Sequence, residues 1–208
     1  MAKQSRSVPV MRTVLEAVAE RLMEGDEILI RIPEICESTG VNYGSVYHHF
    51  GSREGVIDAA YSLIFSRLVE DDIVALAQVN ESADTFDEYV DAIRPVLERI
   101  SFGPERLARR AMRSRIVAAA LTRPDLRALI ARDQSRLTNE LLRIANYGQQ
   151  RGWMRRDVSG NSIAILMQAV ALGRTMDDLA LIPMSDIEWE QTLVAFFMEM
   201  MNVPVNTH

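Results

Sequence analysis

Residues 32–57 read IPEICESTGVNYGSVYHHFGSREGVI, and this stretch decides the fold. Its spacing predicts a short helix over 33–39, a turn at Gly40 and a second short helix over 43–49. Pro33 suits the first turn of a helix, and a glycine readily adopts the left-handed conformation that ends one. Two short helices joined by a tight turn are the pattern of a helix-turn-helix.

Outside this stretch, the hydrophobic pattern predicts helices almost everywhere. Before it, Met11, Leu15, Val18 and Leu22 recur at steps of four, three and four, which places them on one face of a first helix. After it, Ser52 is positioned to cap a long helix that begins at Arg53. Further helices are predicted, between glycine and proline breakers, over 53–79, 82–101, 104–121, 124–151, 159–181 and 186–201.

Two local features interrupt this helical pattern. Pro95 is expected to kink or split the helix in which it lies, and Ile28-Leu29-Ile30 is the one β-like triplet. The sequence therefore predicts an all-α protein. An N-terminal three-helix helix-turn-helix unit, residues 1–55, is joined by a connector helix that begins near residue 53 to a C-terminal helical bundle, residues 56–208.

Composition narrows the class of protein. The 208 residues are 48% apolar and 25% charged, which is typical of a globular chain. No apolar run approaches the roughly 18 residues that a transmembrane helix needs, and the N-terminus lacks the apolar stretch of a signal peptide. Cys36 is the single cysteine, so neither an intrachain disulfide nor a cysteine-built zinc site is expected. We expect a cytoplasmic protein that does not contact membranes.

The charge distribution says more than the net charge of −6. Residues 94–156 hold fifteen arginines against five acidic residues, whereas residues 66–93 hold eight acidic residues and one arginine. One explanation is a solvated arginine face that pairs with those acids. The other is an anionic ligand bound by an inward-facing arginine, for which Arg113 and Arg174 are the candidates because apolar residues flank both. Such an arginine would be costly to bury without an anion or acidic partner.

The second short helix of the motif carries the groups that suit nucleic acid. Apolar side chains are predicted to hold the two motif helices together, namely Ile35, Cys36, Val41, Val46 and Phe50. Neutral hydrogen-bonding and aromatic groups are left to face outward, namely Asn42, Tyr43, Ser45, Tyr47 and His48, and such groups suit base edges and phosphates. His49 is expected to pack inside. Because His48 and His49 point about 100° apart on a helix, they do not form a metal site.

The run GVNYGSVYHHFGSRE, residues 40–54, resembles the DNA-binding signature of TetR-family transcriptional regulators, and the resemblance extends over about residues 9–60. It implies a repressor that binds a palindromic double-stranded DNA operator as a homodimer and is released by a small-molecule effector. Carried over position by position, it assigns DNA contacts to Asn42, Tyr43, Gly44, Ser45, Tyr47, His48 and Arg53. Arg53 stands where the family usually has a phosphate-binding lysine.

The remaining two-thirds of the chain resembles the family only in layout, as an effector-binding and dimerisation domain. An anionic or amphipathic effector is expected to contact Phe86, Tyr89, Met112, Arg113, Ile116, Met167, Val170 and Arg174. Apolar residues at helical spacing in the last two helices predict half of a four-helix dimer interface. That interface comprises Ile163, Val170, Trp189, Leu193, Phe196, Phe197 and Met200. The same spacing also suits the ordinary core of a monomer.

Some positions depart from the family pattern. Ile32 replaces a common threonine whose hydroxyl contacts phosphate, and the next position is Pro33 instead of a polar residue. The N-terminal unit is also acidic, although Lys3, Arg6 and Arg12 are placed to form a basic arm. These departures favour an alternative, a TetR-like sensor or protein-interaction module with weakened or lost DNA binding. Hydrolase and metalloprotease motifs are missing from the sequence, so no catalytic residue, metal or cofactor is expected.

Overall fold

The computed structural model describes residues 4–77, 79, 83–101 and 104–201, with their side chains except at 4–9, 97–101 and 104–105. Over these ranges the chain forms nine α-helices, a short 3-10 helix (Glu27–Leu29) and no strand. The helices are α1 (Gln4–Glu24), α2 (Ile32–Thr39), α3 (Tyr43–Phe50), α4 (Arg53–Leu76), α5 (Phe86–Ser101), α6 (Pro104–Thr122), α7 (Pro124–Arg151), α8 (Gly160–Asp177) and α9 (Asp186–Met198). In this described part, none of the helices has the length and apolar character needed to cross a membrane.

The helix boundaries follow the start and stop signals in the sequence. Gly40 ends α2 in the left-handed region, with a φ of +67°. The side chain of Asn42 caps α3 by accepting a hydrogen bond from the amide of Ser45 at 3.2 Å. At the start of α4, the hydroxyl of Ser52 accepts one from the amide of Gly55 at 3.0 Å. The predicted helices are confirmed to within a few residues at each end.

Two local predictions differ from the structure. α5 continues through Pro95 as one helix, so the predicted split does not occur. A proline removes one backbone hydrogen bond from a helix, and here Ile93 and Val96 are buried on either side of it and keep α5 on its core. The triplet that includes Ile28 and Leu29 is not a strand, because both residues lie in the 3-10 helix with exposed side chains.

The chain divides into two compact units that do not follow the predicted boundary at residue 55. The first unit combines the residues up to Leu68 with Arg115–Arg132, and the second combines Val69–Ser114 with the residues from Asp133 onwards. The first unit therefore includes the second half of α6 and the start of α7 in addition to the helix-turn-helix. The sequence separates these segments by about 50 positions, and only the folded chain brings them into one unit.

The core of the first unit contains the apolar faces that the sequence predicted. Val14, Val18 and Leu22 of α1 are fully buried, and α1 contacts α2, which in turn contacts α3. Ile35 and Val46 are buried on α2 and α3. Each such side chain contributes about 1.5–3 kcal/mol when it leaves water, so this core fixes the position of α3 against its neighbours.

The second unit contains an aromatic cluster. Tyr89 of α5 is almost completely buried, and its hydroxyl donates a hydrogen bond to the carbonyl oxygen of Ile144 at 2.8 Å. The rings of Tyr147 and Trp153 lie 6.1 and 5.4 Å from the Tyr89 ring, measured between centroids. The close approach of α5 to α7 depends on Gly148, since a Cβ atom there would lie 2.6 Å from the Tyr89 hydroxyl oxygen.

We expect Gly148→Ala to lower the free energy of unfolding by about 1–3 kcal/mol, because the added methyl group overpacks this contact. Urea unfolding followed by circular dichroism measures the change. Tyr89→Phe removes the hydroxyl that the methyl group would meet, so the Gly148→Ala/Tyr89→Phe double variant should lose less stability than the two single losses added together. Strict additivity of the two losses would show that Gly148 and Tyr89 do not constrain each other.

Candidate functional site

α3 presents one polar and aromatic face to solvent. Asn42, Gly44, Ser45 and His48 are exposed, and Tyr43 is 46% exposed. Tyr47 is half-buried on the same helix. The opposite side of α3 is held by Val46, which is completely buried. The outward orientation predicted for these residues is therefore confirmed.

The two tyrosines of α3 form a pair. Their ring centroids are 4.5 Å apart and the rings are tilted by 34°. A hydrogen bond with Tyr43 raises the pKa of Tyr47 to about 12. A phenol is neutral near pH 7 even at its ordinary pKa, and a neutral hydroxyl can donate a hydrogen bond to a phosphate or accept one from a base edge.

Other α3 residues have roles that the sequence did not reveal. The side-chain oxygen of Asn42 is used as the cap of α3, so its amide nitrogen is the group left for DNA. The expectation that His49 packs inside is wrong, because His49 is exposed and its ring lies edge-on to Phe50 with centroids 4.6 Å apart. Ile32 is buried, so this position belongs to the core of the unit and does not face outward.

Arg53 begins α4 and is half-buried by contacts within the chain. Its Nε donates to the carbonyl oxygen of Ile30 at 3.2 Å, and its Nη2 donates to that of Glu27 at 2.5 Å. Its Nη1 lies 3.9 Å from the carboxylate of Glu54, beyond hydrogen-bond distance. Two of the guanidinium nitrogens thus hold the backbone between α1 and α2, a role that no sequence spacing indicated.

Of the predicted basic arm, Arg12 is exposed and pairs with Glu16 at 3.4 Å. Lys3 lies outside the described residues, as does the side chain of Arg6.

Comparisons with known proteins agree with this geometry. Residues 30–60 match the sequence profile described as bacterial regulatory proteins, tetR family. The HTH-type transcriptional regulator UidR of Escherichia coli K12 is 25% identical over 174 residues, which cover 84% of each chain. The helix-turn-helix of this chain is thus similar to that of the TetR family. UidR is named as a transcriptional regulator of the helix-turn-helix type, and the residues that match the family profile are those of α2, α3 and the start of α4.

Solved structures share the fold of this chain. A TetR-family regulator from Cytophaga hutchinsonii matches with a TM-score of 0.69 at 17% identity, over 96% of this chain and 98% of that one. Salmonella enterica GusR matches with a TM-score of 0.65 at 19% identity, over 92% and 95% of the two chains. At these identities the likeness establishes the all-helical fold, from the helix-turn-helix to the C-terminal bundle.

The arginine-rich block, residues 94–156, is largely neutralised by ion pairs within the chain. Arg109 contacts Asp71 at 2.7 Å, and Arg136 contacts Glu70 at 2.8 Å. Arg113, one of the two candidates for binding an anion, forms an ion pair with Asp72 and is partly exposed. The explanation of a solvated face that pairs with the acids of residues 66–93 is therefore confirmed for these arginines.

Arg174 is the inward-facing arginine that the sequence suggested. Its side chain is 4% exposed and lies 3.1 Å from Asp177 and 3.3 Å from Asp186. The guanidinium carbon lies 4.8 Å from the ring centroid of Trp189. Even so, Arg174 Nε and Trp189 Nε1 are buried without a hydrogen-bond partner. The single positive charge of Arg174 is thus matched by two carboxylates, and buried hydrogen-bond donors are left over.

The residues predicted to contact the effector do not all lie in one unit. In the second unit, Tyr89 and Met112 are buried, and Phe86, Met167 and Val170 are half-buried. Ile116 is completely buried and lies in the first unit, and its contact with the effector stays a prediction. The cause is that α6 leaves the second unit after Ser114, a change of unit that the periodicity of the helix does not show.

Three residues predicted at the dimer interface are also corrected. Ile163, Leu193 and Phe197 are buried within the protomer and cannot form its outer surface. The other four residues are half-buried, namely Val170, Trp189, Phe196 and Met200. After the polar Asn161 and Ser162 at its start, the exposed residues of α8 are instead Ile165, Leu166, Ala169, Leu172, Gly173 and Met176. We call these six residues the α8 face.

Proposed function

We propose that this protein is a TetR-family repressor that binds a palindromic operator as a homodimer and is released by a small-molecule effector. The observation that carries the DNA-binding part is the orientation of α3, whose paired tyrosines face solvent while Val46 anchors the helix. An isolated α3 reads only a few base pairs. Two copies that reach successive major grooves, about 34–36 Å apart, would read both halves of a palindrome.

The exposed groups of α3 have distinct roles in this proposal. Tyr43, Ser45 and His48 are exposed along the helix and meet base edges or nearby phosphates. The amino ends of α3 and α4 add the partial positive charge of helix termini. The Nη1 of Arg53 is the guanidinium nitrogen that contacts a phosphate in this proposal, because Nε and Nη2 donate hydrogen bonds within the chain.

A binding titration tests the proposal. Fluorescence anisotropy with labelled duplexes that cover the promoter region beside the protein's own reading frame should yield a specific complex that weakens as salt increases. The acidic N-terminal unit supports the alternative of a sensor that has lost DNA binding. That alternative would be preferred if no duplex, including ones selected from random sequence, bound more tightly than unrelated DNA.

Arg53→Met is expected to weaken binding to specific and unrelated duplexes alike. If Nη1 contacts one phosphate, the slope of log affinity against log salt should fall by about 1. The measurement is the same titration repeated at several salt concentrations. Arg12→Met is the control, since Arg12 is exposed and bonded to Glu16 on α1. An unchanged slope in Arg53→Met would restrict Arg53 to its internal bonds.

The homodimer is proposed to form through the α8 face. This surface runs along the helix at steps of three and four and carries no charge, with Ile165 at 50% and Met176 at 70% exposure. An exposed apolar stripe of this kind is unfavourable in water, and a second helix packed against it would remove it from solvent. A twofold axis through the stripe would place the same residues of both copies in contact.

The effector is proposed to bind in the second unit. Because Arg113 and Arg174 already have carboxylate partners, a free anion would have to compete with them, and this favours an uncharged or amphipathic molecule over an anion. The spare donors of Arg174 and Trp189 favour a ligand with a hydrogen-bond acceptor. A Saccharomonospora viridis protein of the same fold, with a TM-score of 0.70 at 15% identity over 95% and 100% of the two chains, was crystallised in complex with choline.

Mass spectrometry of small molecules that co-purify with the protein is the direct test of the effector. A bound molecule is expected to shift the emission of Trp189 in a Trp153→Phe variant, where Trp189 is the remaining tryptophan. Arg174→Gln should weaken that binding. A bound molecule whose affinity and emission signal are unaffected by Arg174→Gln would place the effector elsewhere.

A further inference from the structure

The linker between α1 and α2, residues 25–31, is held by arginines from three distant segments of the first unit. Arg115 of α6 donates from Nη1 to the carbonyl oxygens of Leu22 and Gly25, at 3.1 and 2.8 Å. Arg53 of α4 donates to the carbonyls of Glu27 and Ile30. Arg123, between α6 and α7, donates from Nη2 to the carboxylate of Glu27 at 2.6 Å.

Arg123 joins two carboxylates. Its Nη1 also donates to Asp58 of α4 at 3.0 Å, and the side chains of Arg123, Glu27 and Asp58 are 30%, 25% and 9% exposed. The two carboxylates raise the pKa of the Arg123 guanidinium, mainly through the hydrogen bond to Glu27. An ion pair shielded to this degree holds its geometry better than one on the open surface.

Glu27 connects this ion pair to the DNA-binding helix. Arg123 holds its side chain, while Arg53 holds its backbone carbonyl. Arg53 is the first residue of α4 and follows α3 after only Gly51 and Ser52. Arg123 is thus connected to the end of α3 through Glu27 and Arg53, although it lies more than 70 positions further along the chain.

We infer that Glu27, Arg123 and Arg115 are positioning residues for operator binding. They do not contact DNA. They hold the α1–α2 linker, and through Arg53 they hold the start of α4 and the end of α3. The helix-turn-helix motif that resembles the family ends near residue 60. The inferred role of Arg115 and Arg123 makes DNA binding depend in addition on the C-terminal part of α6 and on the turn that follows it.

Helix α6 contributes residues to both units. Pro104–Ser114 of α6 belong to the second unit, and the remainder of the helix belongs to the first. Arg115 is the first residue of α6 in the first unit, and Arg123 follows the last residue of the helix. Both arginines therefore come from the part of α6, and from the turn after it, that belongs to the first unit.

The test uses the full-length protein and an operator selected from random duplex DNA. Arg123→Met should lower operator affinity on the order of tenfold, with the salt slope and the dimeric state unchanged. Arg127→Met is the matched control and should leave affinity unchanged. Arg127 lies four residues after Arg123, in the first turn of α7. It donates to the carbonyl oxygens of Ala120 and Leu121, at 3.2 and 2.9 Å, and not to the linker.

A double-mutant cycle separates positioning from a general loss of stability. Glu27→Gln keeps the shape and removes the charge, and it also serves if Arg123→Met does not fold. The Glu27→Gln/Arg123→Met pair should lose less operator affinity than the two single losses together, measured well below the melting temperature. If these variants melt earlier but bind the operator normally, the inference is overturned. A salt slope lowered by about 1 would also overturn it, since Arg123 would then contact phosphate.

Hydrogen exchange of the α3 amides in the free protein provides a readout without DNA. Exchange at residues 43–50 should be on the order of tenfold faster in Arg123→Met than in Arg127→Met. Equal rates would contradict the inference. Failure of the unmodified protein to bind any duplex would overturn the proposed function instead. The exchange measurement would still decide whether Arg123 helps to hold α3 in place.

Discussion

Leu172→Asp is expected to yield a monomer and to lower operator affinity about 100-fold or more. Leu172 lies on the α8 face and is 37% exposed in the single chain. In a twofold-symmetric dimer the substitution buries two unpaired carboxylates, one from each copy, in an uncharged contact. A monomer holds one recognition helix to DNA instead of two, so it loses the gain in affinity that comes from binding two half-sites together.

Light scattering measures the mass, and anisotropy on the selected operator measures the affinity. Leu107→Asp is the matched control, since Leu107 is 51% exposed on α6 of the same unit and lies outside the α8 face. It should leave both quantities unchanged. If Leu172→Asp remained a dimer, the interface would lie on another surface of the chain.

Tyr43→Ala is expected to lower affinity for the specific operator by about 10- to 100-fold, which is the range for loss of a good base contact. Affinity for unrelated duplex should change little, because phosphate contacts carry non-specific binding. Tyr43 is the more exposed member of the tyrosine pair, so its hydroxyl and ring edge are the groups placed to meet a base.

Tyr43→Phe is the matched control for this substitution. It keeps the ring that lies against Tyr47 at 4.5 Å and removes only the hydroxyl. If the hydroxyl reads a base, Tyr43→Phe should lose specificity as Tyr43→Ala does. If the ring serves mainly to support Tyr47, Tyr43→Phe should bind normally. An equal loss on specific and unrelated duplexes in Tyr43→Ala would assign Tyr43 to phosphate contact or to support of the fold.

Most candidate DNA contacts could be predicted from the sequence because they depend on local order. Gly40 and Gly51 end the two motif helices, and the position of Val46 on α3 determines which residues face the other way. Arg53 was placed correctly at the start of α4, but its bonds were not predicted. Its acceptors are carbonyls 23 and 26 residues away, and no spacing rule relates them to it.

The α8 face could not be predicted from the sequence, for a different reason. Helix α8 is apolar on most sides, so its periodicity does not distinguish the side that packs in the protomer from the side left open. Ile163 and Ile165 are both isoleucines near the same end of the helix, yet one is 2% exposed and the other 50%. Only the neighbouring helices decide between them.

The sequence by itself determined the helices, their caps and the outward face of α3, because hydrogen bonds and side-chain directions within a helix are set by residues three or four positions apart. Tertiary structure alone decided which segments share a unit, which apolar face of α8 is covered and which carboxylate each arginine meets. These depend on contacts between residues distant in the chain, and a pattern of apolar or charged residues allows many such contacts until packing selects one. Arg123 illustrates this, since its charge was evident in the sequence, whereas its two partners, Glu27 and Asp58, are defined only by the fold.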